Sequence, residues 1–243
     1  RRTAFAITKG CSFYQKSIYY VYAYRSYYRY NSNSNYLCKK TSLGIHKRNY
    51  KICLNSLAKM KLISTPLIDL FVIDPTVFED NRGFFYESYN AQKLKEHNID
   101  YQFIQDNHSK SSYGVLRGLH YQNNPFAQTK LVRVTQGKVL DVAVDIRKGS
   151  PTYLQHFAIE LSAENKLQLL IPAGFAHGFV VLSETCEFLY KCDNYYNKAA
   201  EGGIAYNDAT LNIDWKIPKS DILLSEKDAV NPTVGNANSN FTY

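Results

Sequence analysis

The sequence holds no run of roughly 18 to 20 uninterrupted apolar residues, the length a membrane-crossing helix needs, so no membrane partner is expected. Cysteine is scarce, and Cys11, Cys38, Cys53, Cys186 and Cys192 show no paired metal spacing. Cys186 and Cys192 are too few for a disulfide scaffold, which points to a reducing, cytoplasmic setting. Glycine-rich phosphate loops, dinucleotide fingerprints and internal repeats are absent as well. Acidic residues are missing from 1–59, where 12 Lys or Arg stand without one Asp or Glu. The formal charge of +8 therefore belongs to that segment, because 60–243 carries 17 basic and 21 acidic side chains, a net −4. A net-acidic main domain gives little support to a nucleic-acid partner.

Residues 1–59 hold ten of the 21 tyrosines, an Asn31-Ser32-Asn33-Ser34-Asn35 tract and no sustained periodicity. Met60, the one methionine, is followed at once by patterned sequence. Three readings stand. Met60 is the natural start and 1–59 is upstream read-through; or 1–59 is a targeting extension; or it is a basic, aromatic arm for RNA or anionic membrane. In each case 1–59 lies outside the main domain, 60–243, and is expected to pack poorly.

From Leu62 onward, short β-rich runs recur about every 8 to 12 residues with turn residues between them, the pattern of an antiparallel sandwich or barrel. About ten strands are predicted, at 67–73, 84–89, 103–109, 116–122, 130–134, 138–146, 153–161, 168–171, 176–182 and 185–192. Asp80-Asn81-Arg82-Gly83 reads as a turn. A short helix is expected over 90–97 with Asn90 as its cap. The stretch 220–227 reads as helical or irregular, and the Asn-rich 230–243 as a frayed end.

The stretch Gly114-Val115-Leu116-Arg117-Gly118-Leu119-His120-Tyr121-Gln122, with Lys130-Leu131-Val132-Arg133 behind it, concentrates polar groups in strand-forming sequence. Strict alternation places Leu116 and Gly118 on one side and Arg117, Leu119 and Tyr121 on the other. His120 falls near the strand end, where a twist or bulge turns it inward. His177 sits among small and apolar neighbours, either as a core imidazole bonded to a carbonyl or as a pocket histidine serving substrate or proton transfer. A metal is not expected, because the His-x-His pattern with a following Glu is missing. Tyr190 shares a face with Phe188, and packing or proton donation accounts for it equally. Tyr195 and Tyr196 follow in a loop and can stack on a flat ring. Arg82, Arg117 and Lys130 suit the oxygens of a diphosphate, so a small anionic ligand is favoured.

Six motifs in order carry a resemblance: Arg82-Gly83-Phe84-Phe85-Tyr86-Glu87-Ser88, Gln105-Asp106-Asn107-His108-Ser109, Leu116 to Gln122, Lys130 to Val134, Ile171 to Phe179, and Leu224-Ser225-Glu226-Lys227-Asp228. Together they resemble the dTDP-4-dehydrorhamnose 3,5-epimerase family from about Met60 to about Asn231. The resemblance implies an all-β, cupin-type jelly roll with short peripheral helices, working as a homodimer without metal or organic cofactor. It implies a dTDP-4-dehydro-6-deoxy-D-glucose substrate inverted at C3 and C5. It puts the general base at His120, its carboxylate partner at Asp228, the proton donor at Tyr190, and Lys130 in the catalytic set. Substrate contacts are implied at Arg82, Glu87, Gln105, Asn107, Arg117, His177, Glu201 and Lys227, and Tyr196 joins them as a stacking candidate. Thr129 departs from the family, where glycine is usual before the lysine. A relative inverting C3 or C5 alone, or a non-catalytic cupin that binds a sugar nucleotide, are the alternatives.

Overall fold

Short apolar runs separated by turns close into thirteen strands among the described residues, 60–243 of the computed structural model. The expectation for 1–59 lies outside the described residues. One sheet orders β1 (Lys61–Ser64), β2 (Phe71–Asp74), β10 (Gln168–Ile171), β7 (Lys130–Gln136), β12 (Thr185–Cys192) and β5 (Gln105–Ser112). The other orders β13 (Glu201–Gly203), β6 (Leu116–Gln122), β11 (Phe175–Val181), β8 (Lys138–Asp145) and β9 (His156–Ser162). A hairpin of β3 (Phe78–Asp80) and β4 (Gly83–Phe85) stands apart from both. Pairing within the sheets is antiparallel, giving the sandwich that the spacing predicts and the jelly roll that the resemblance implies.

Three apolar clusters hold the layers. Val132, Val134, Val139, Leu161, Leu169, Phe179 and Phe188 pack between the sheets. Burying one such side chain is worth about 1.5–3 kcal/mol, and Phe188→Ala would cost about 3–5 kcal/mol through the cavity it leaves. The outer face of the five-stranded sheet is covered by Ile204, Leu211, Trp215 and Phe241. The outer face of the six-stranded sheet is covered by Leu94 and Ile99, from and after the helix α1 (Ala91–Lys95). Asn90 caps that helix as expected, its side chain accepting from the Lys93 N–H at 3.2 Å.

Four local expectations are corrected. The strand predicted over 67–73 is a turn followed by β2, because Asp69 takes φ +70° and the Thr65 hydroxyl donates to the Leu67 and Leu70 carbonyls. The strand predicted over 84–89 stops at Phe85, where the side chains face solvent and no third strand pairs. The end at 230–243 is not frayed. Phe241 is buried against Tyr121, Thr242 bridges Lys148, and the Tyr243 ring lies 5.0 Å from the Arg147 guanidinium. Finally, Arg117 does not share a face with Leu119 and Tyr121, for a reason set out below.

Candidate active site

The space between the sheets is apolar at one end and polar at the other. On the six-stranded sheet the inward row of β12 runs Cys186, Phe188, Tyr190, Cys192, and its partners on β5 are Ser111, Ser109, Asn107 and Gln105. Lys130 continues the inward row of Val132 and Val134 on β7. On the five-stranded sheet His177 shares the inward row of Phe175 and Phe179, and Asp141 that of Val139 and Ala143.

A bulge brings Arg117 and His120 to this space together. His120 pairs with His177 and Arg117 with Phe179, so three steps on β6 span two on β11. The extra residue reverses the alternation. Leu116, Leu119 and Tyr121 then pack outward, while Arg117 and His120 face in. Gly118 is needed there: its φ is +132°, and a Cβ would lie 2.5 Å from the Gly178 Cα.

His120 is bonded through Nε2 to Asp228 Oδ1 at 2.5 Å. Asp228 sits in α2 (Glu226–Ala229), whose cap Ser225 accepts from the Asp228 N–H at 3.1 Å. Burial works to raise the Asp228 carboxyl, but the His120 bond and charge, the Ser225 hydroxyl and the Gly118 N–H hold it below the usual carboxylate range. The imidazole is 29% exposed while Asp228 is 5%, so the ring reaches the cavity and its partner does not.

His177 makes a second pair, with Nε2 at 3.0 and 3.1 Å from the two oxygens of the wholly buried Asp141. Its ring stacks on Phe188 with centroids 6.2 Å apart. Burial pulls the Lys130 ammonium below the ordinary lysine range, with the negative charges of Asp141 and Glu201 opposing. Burial pushes the Tyr190 phenol up, with the nearby Arg117 charge opposing. Tyr190 therefore keeps its proton at neutral pH and is suited to give one up only in a committed step. Burial also drives the Cys192 thiol up to about 11, so it stays protonated.

A polar rim surrounds these groups. Glu201 is ion-paired with Lys227 and accepts from the Tyr196 hydroxyl at 3.1 Å. Gln105 Oε1 accepts from the Tyr196 N–H at 3.3 Å, and its Nε2 donates to Asn107 at 3.0 Å. The Arg117 guanidinium donates twice to Ser111 Oγ, both at 3.2 Å. Thr129 is 1% exposed and its N–H donates to Asp193 at 2.6 Å, so its side chain leaves Lys130 in the inward row.

Eleven of the sequence-predicted site residues thus gather at one end of the sandwich: Gln105, Asn107, Arg117, His120, Lys130, His177, Tyr190, Tyr196, Glu201, Lys227 and Asp228. Arg82 and Glu87 do not join them. Arg82 is paired with Asp80 at the tip of the exposed β3–β4 hairpin. Glu87 is held by Lys93 and Asn90 beside the cavity of Ile73, Leu94 and Leu131, on the outer face of the six-stranded sheet. Sequence reasoning missed Asp141 and Ser111; an acid inside the apolar run Val139 to Val144 was the available signal for Asp141. Among the described residues no group of three or more His, Cys, Asp or Glu is placed to hold a metal ion, and no helix is long and apolar enough to cross a membrane.

A family model for dTDP-4-dehydrorhamnose 3,5-epimerase matches residues 64–236. The dTDP-4-dehydrorhamnose 3,5-epimerase of Shigella flexneri is 55% identical over 171 residues, covering 70% of this chain and 93% of that protein. The crystal structure of the enzyme from Elizabethkingia anophelis has a TM-score of 0.70 at 59% identity, over 72% of this chain and 96% of that one. The Legionella pneumophila epimerase, solved in complex with dTDP-4-keto-L-rhamnose, gives 0.70 at 49% identity, over 73% and 94%. The ordered motifs, the shared jelly roll and this identity place the chain in the dTDP-4-dehydrorhamnose 3,5-epimerase family.

Proposed function

We propose that the chain inverts C3 and C5 of dTDP-4-dehydro-6-deoxy-D-glucose to give dTDP-4-dehydro-L-rhamnose. The observation that carries this is the pairing of His120, on the five-stranded sheet, with Asp228 of α2, across the inter-sheet space from Tyr190 and Lys130. A ketone at C4 acidifies the hydrogens on C3 and C5, because the carbanion delocalises onto oxygen as an enolate. His120 takes the proton on Nδ1, the nitrogen that Asp228 leaves free, and Asp228 balances the imidazolium that results. Lys130 lies where charge grows on the C4 oxygen; one such donor is typically worth about 3–4 kcal/mol. Tyr190 then delivers its hydroxyl proton to the opposite face of the carbon, and solvent resets both groups. Repeating the cycle at the second carbon completes the inversion. No electron leaves the sugar, and the C4 carbonyl is itself the electron sink, so the residues suffice without a cofactor.

The rim holds the nucleotide. Tyr196 is exposed enough to stack on a base, and Arg117 has N–H groups left for diphosphate oxygens once Ser111 is satisfied. Arg82 and Glu87, on the far hairpin and outer face, serve substrate only if two copies pair and each lends its hairpin to the other. Exposed Phe78, Phe84 and Phe85 beside Arg82 give that hairpin an apolar contact surface. A homodimer is therefore part of the proposal, and mixing inactive Arg82→Ala and His120→Ala proteins should recover some turnover. The free, buried thiols of Cys186 and Cys192 suit a cytoplasmic setting.

Proton NMR of the reaction in deuterated water tests the reading. Product with the L-rhamno configuration and deuterium at both C3 and C5 is expected. Label at one carbon would reduce the chain to a single-site epimerase, and no label would remove the enzymatic reading.

A further inference from the structure

Gln122, the last residue of β6, is 6% exposed, and its whole amide is hydrogen-bonded. Its Oε1 accepts from the Asn197 N–H at 2.7 Å. Its Nε2 donates to the Tyr195 carbonyl at 3.2 Å and to the Phe126 carbonyl at 2.7 Å, which uses both of its hydrogens. Tyr195 and Asn197 flank Tyr196, so one buried amide grips the main chain on each side of that tyrosine. The Tyr196 ring is 56% exposed, so its place is set by the main chain and by its hydroxyl, which donates to Glu201. Further bonds tie the same two loops together. Asn194 Nδ2 donates to the Pro125 carbonyl at 3.2 Å, Gln128 Nε2 to the Asn194 carbonyl at 2.8 Å, and the Asn123 N–H to the Ala200 carbonyl at 2.8 Å. Gln122 is the tie that straddles Tyr196.

We propose that Gln122 is a positioning residue, which clamps the main chain around Tyr196 and so sets that ring, before substrate arrives, where it meets the base of the nucleotide. A loop tyrosine left free would lose main-chain and rotamer freedom on stacking, and ordering it beforehand removes that cost from binding. Gln122 therefore acts on nucleotide affinity through Tyr196, although it stands only two residues from His120. This role rests on the epimerase reading of the cavity and adds to it how the rim is held ready.

Calorimetric titration of the full chain with dTDP, beside steady-state kinetics on the dTDP sugar, tests this. Gln122→Met should weaken dTDP binding about tenfold and raise KM by a similar factor, with kcat within about threefold of the parent. Tyr196→Ala should behave alike. Adding Gln122→Met to Tyr196→Ala should weaken dTDP binding by less than about twofold more, because the two residues act as a unit. A crystal structure of the parent with dTDP needs no variant, and decides the matter if Gln122→Met does not fold. It should show the Tyr196 ring against the thymine with the Gln122 bonds to Tyr195 and Asn197 intact. Additive losses in the double variant, or a folded Gln122→Met that binds dTDP as the parent does, would overturn the proposal. So would a lowered kcat at unchanged dTDP affinity, which would make Gln122 a brace for His120, or a base seated away from Tyr196. A parent that binds no dTDP would instead strike the epimerase reading, and this role with it.

Discussion

The two histidine–aspartate pairs of this protein are chemically alike and placed differently. Both bond through Nε2 to a buried carboxylate, and the two imidazoles are cross-strand partners on β6 and β11. His120 is 29% exposed at a bulge near the end of its strand, with its carboxylate supplied by α2. His177 is 8% exposed in the middle of a strand buried on both faces, with its carboxylate supplied by the next strand. A base has to reach substrate carbon and exchange its proton with solvent between turnovers, which the first placement permits. The second placement, buried and held on a carboxylate between two strands, keeps its imidazole fixed and shielded from water. Burial, more than the type of pair, separates the two sites.

That contrast can be broken by substitution. The largest effect is expected for His120→Ala, with turnover and deuterium uptake into substrate both falling by about 10³–10⁴-fold; NMR in deuterated water measures both. Full turnover by this variant would count decisively against His120 as the base. Next is Gly118→Ala, whose Cβ would meet the Gly178 backbone at 2.5 Å. It should shift the bulge and cost about 10²-fold in kcat, since small misplacements of catalytic groups carry large penalties. A crystal structure of the variant would show whether His120 has moved.

Asp228→Asn should lower kcat, because the imidazole loses the carboxylate that orients it and balances its charge, and should also change acid stability. The folded Asp228 carboxyl lies below its ordinary value, so its contribution to stability is complete above the unfolded pKa of about 3.9. It is lost as pH falls from there through the lower folded value. The variant should therefore lose less Tm than the parent between pH 4 and more acidic conditions, read by thermal scans at each pH. The smallest effect belongs to the rim. Lys227→Met breaks the pair with Glu201 where the lysine is 54% exposed. A few-fold rise in KM is expected, with stability changed by less than about 1 kcal/mol.

Much of this arrangement was legible in the residues. Alternation in Glu187 to Lys191 correctly turned Tyr190 inward beside Phe188, and turn residues between short runs gave the sandwich. Alternation failed where both faces of a strand are covered. Residues 139–145 of β8 are buried without a break, so period two disappears and Asp141 looked like one acid in an apolar run. It failed again at Gly118, because a bulge is set by the close approach of β11, which local sequence does not record. The three-residue β13 has no apolar pattern at all, and pairing with β6 alone makes it a strand. Likewise Phe241 near the end of the chain gave no sign that it would close over Tyr121. Contacts distant in sequence decide all four.

The central claim, a base and a donor working from opposite faces of one sugar, is tested most directly by Tyr190→Phe beside His120→Asn in deuterated water. The account predicts that Tyr190→Phe still exchanges the C5 hydrogen of the dTDP sugar while returning it uninverted, and that His120→Asn neither exchanges nor inverts. Inversion by Tyr190→Phe at the parent rate, or exchange that survives in His120→Asn, would contradict it.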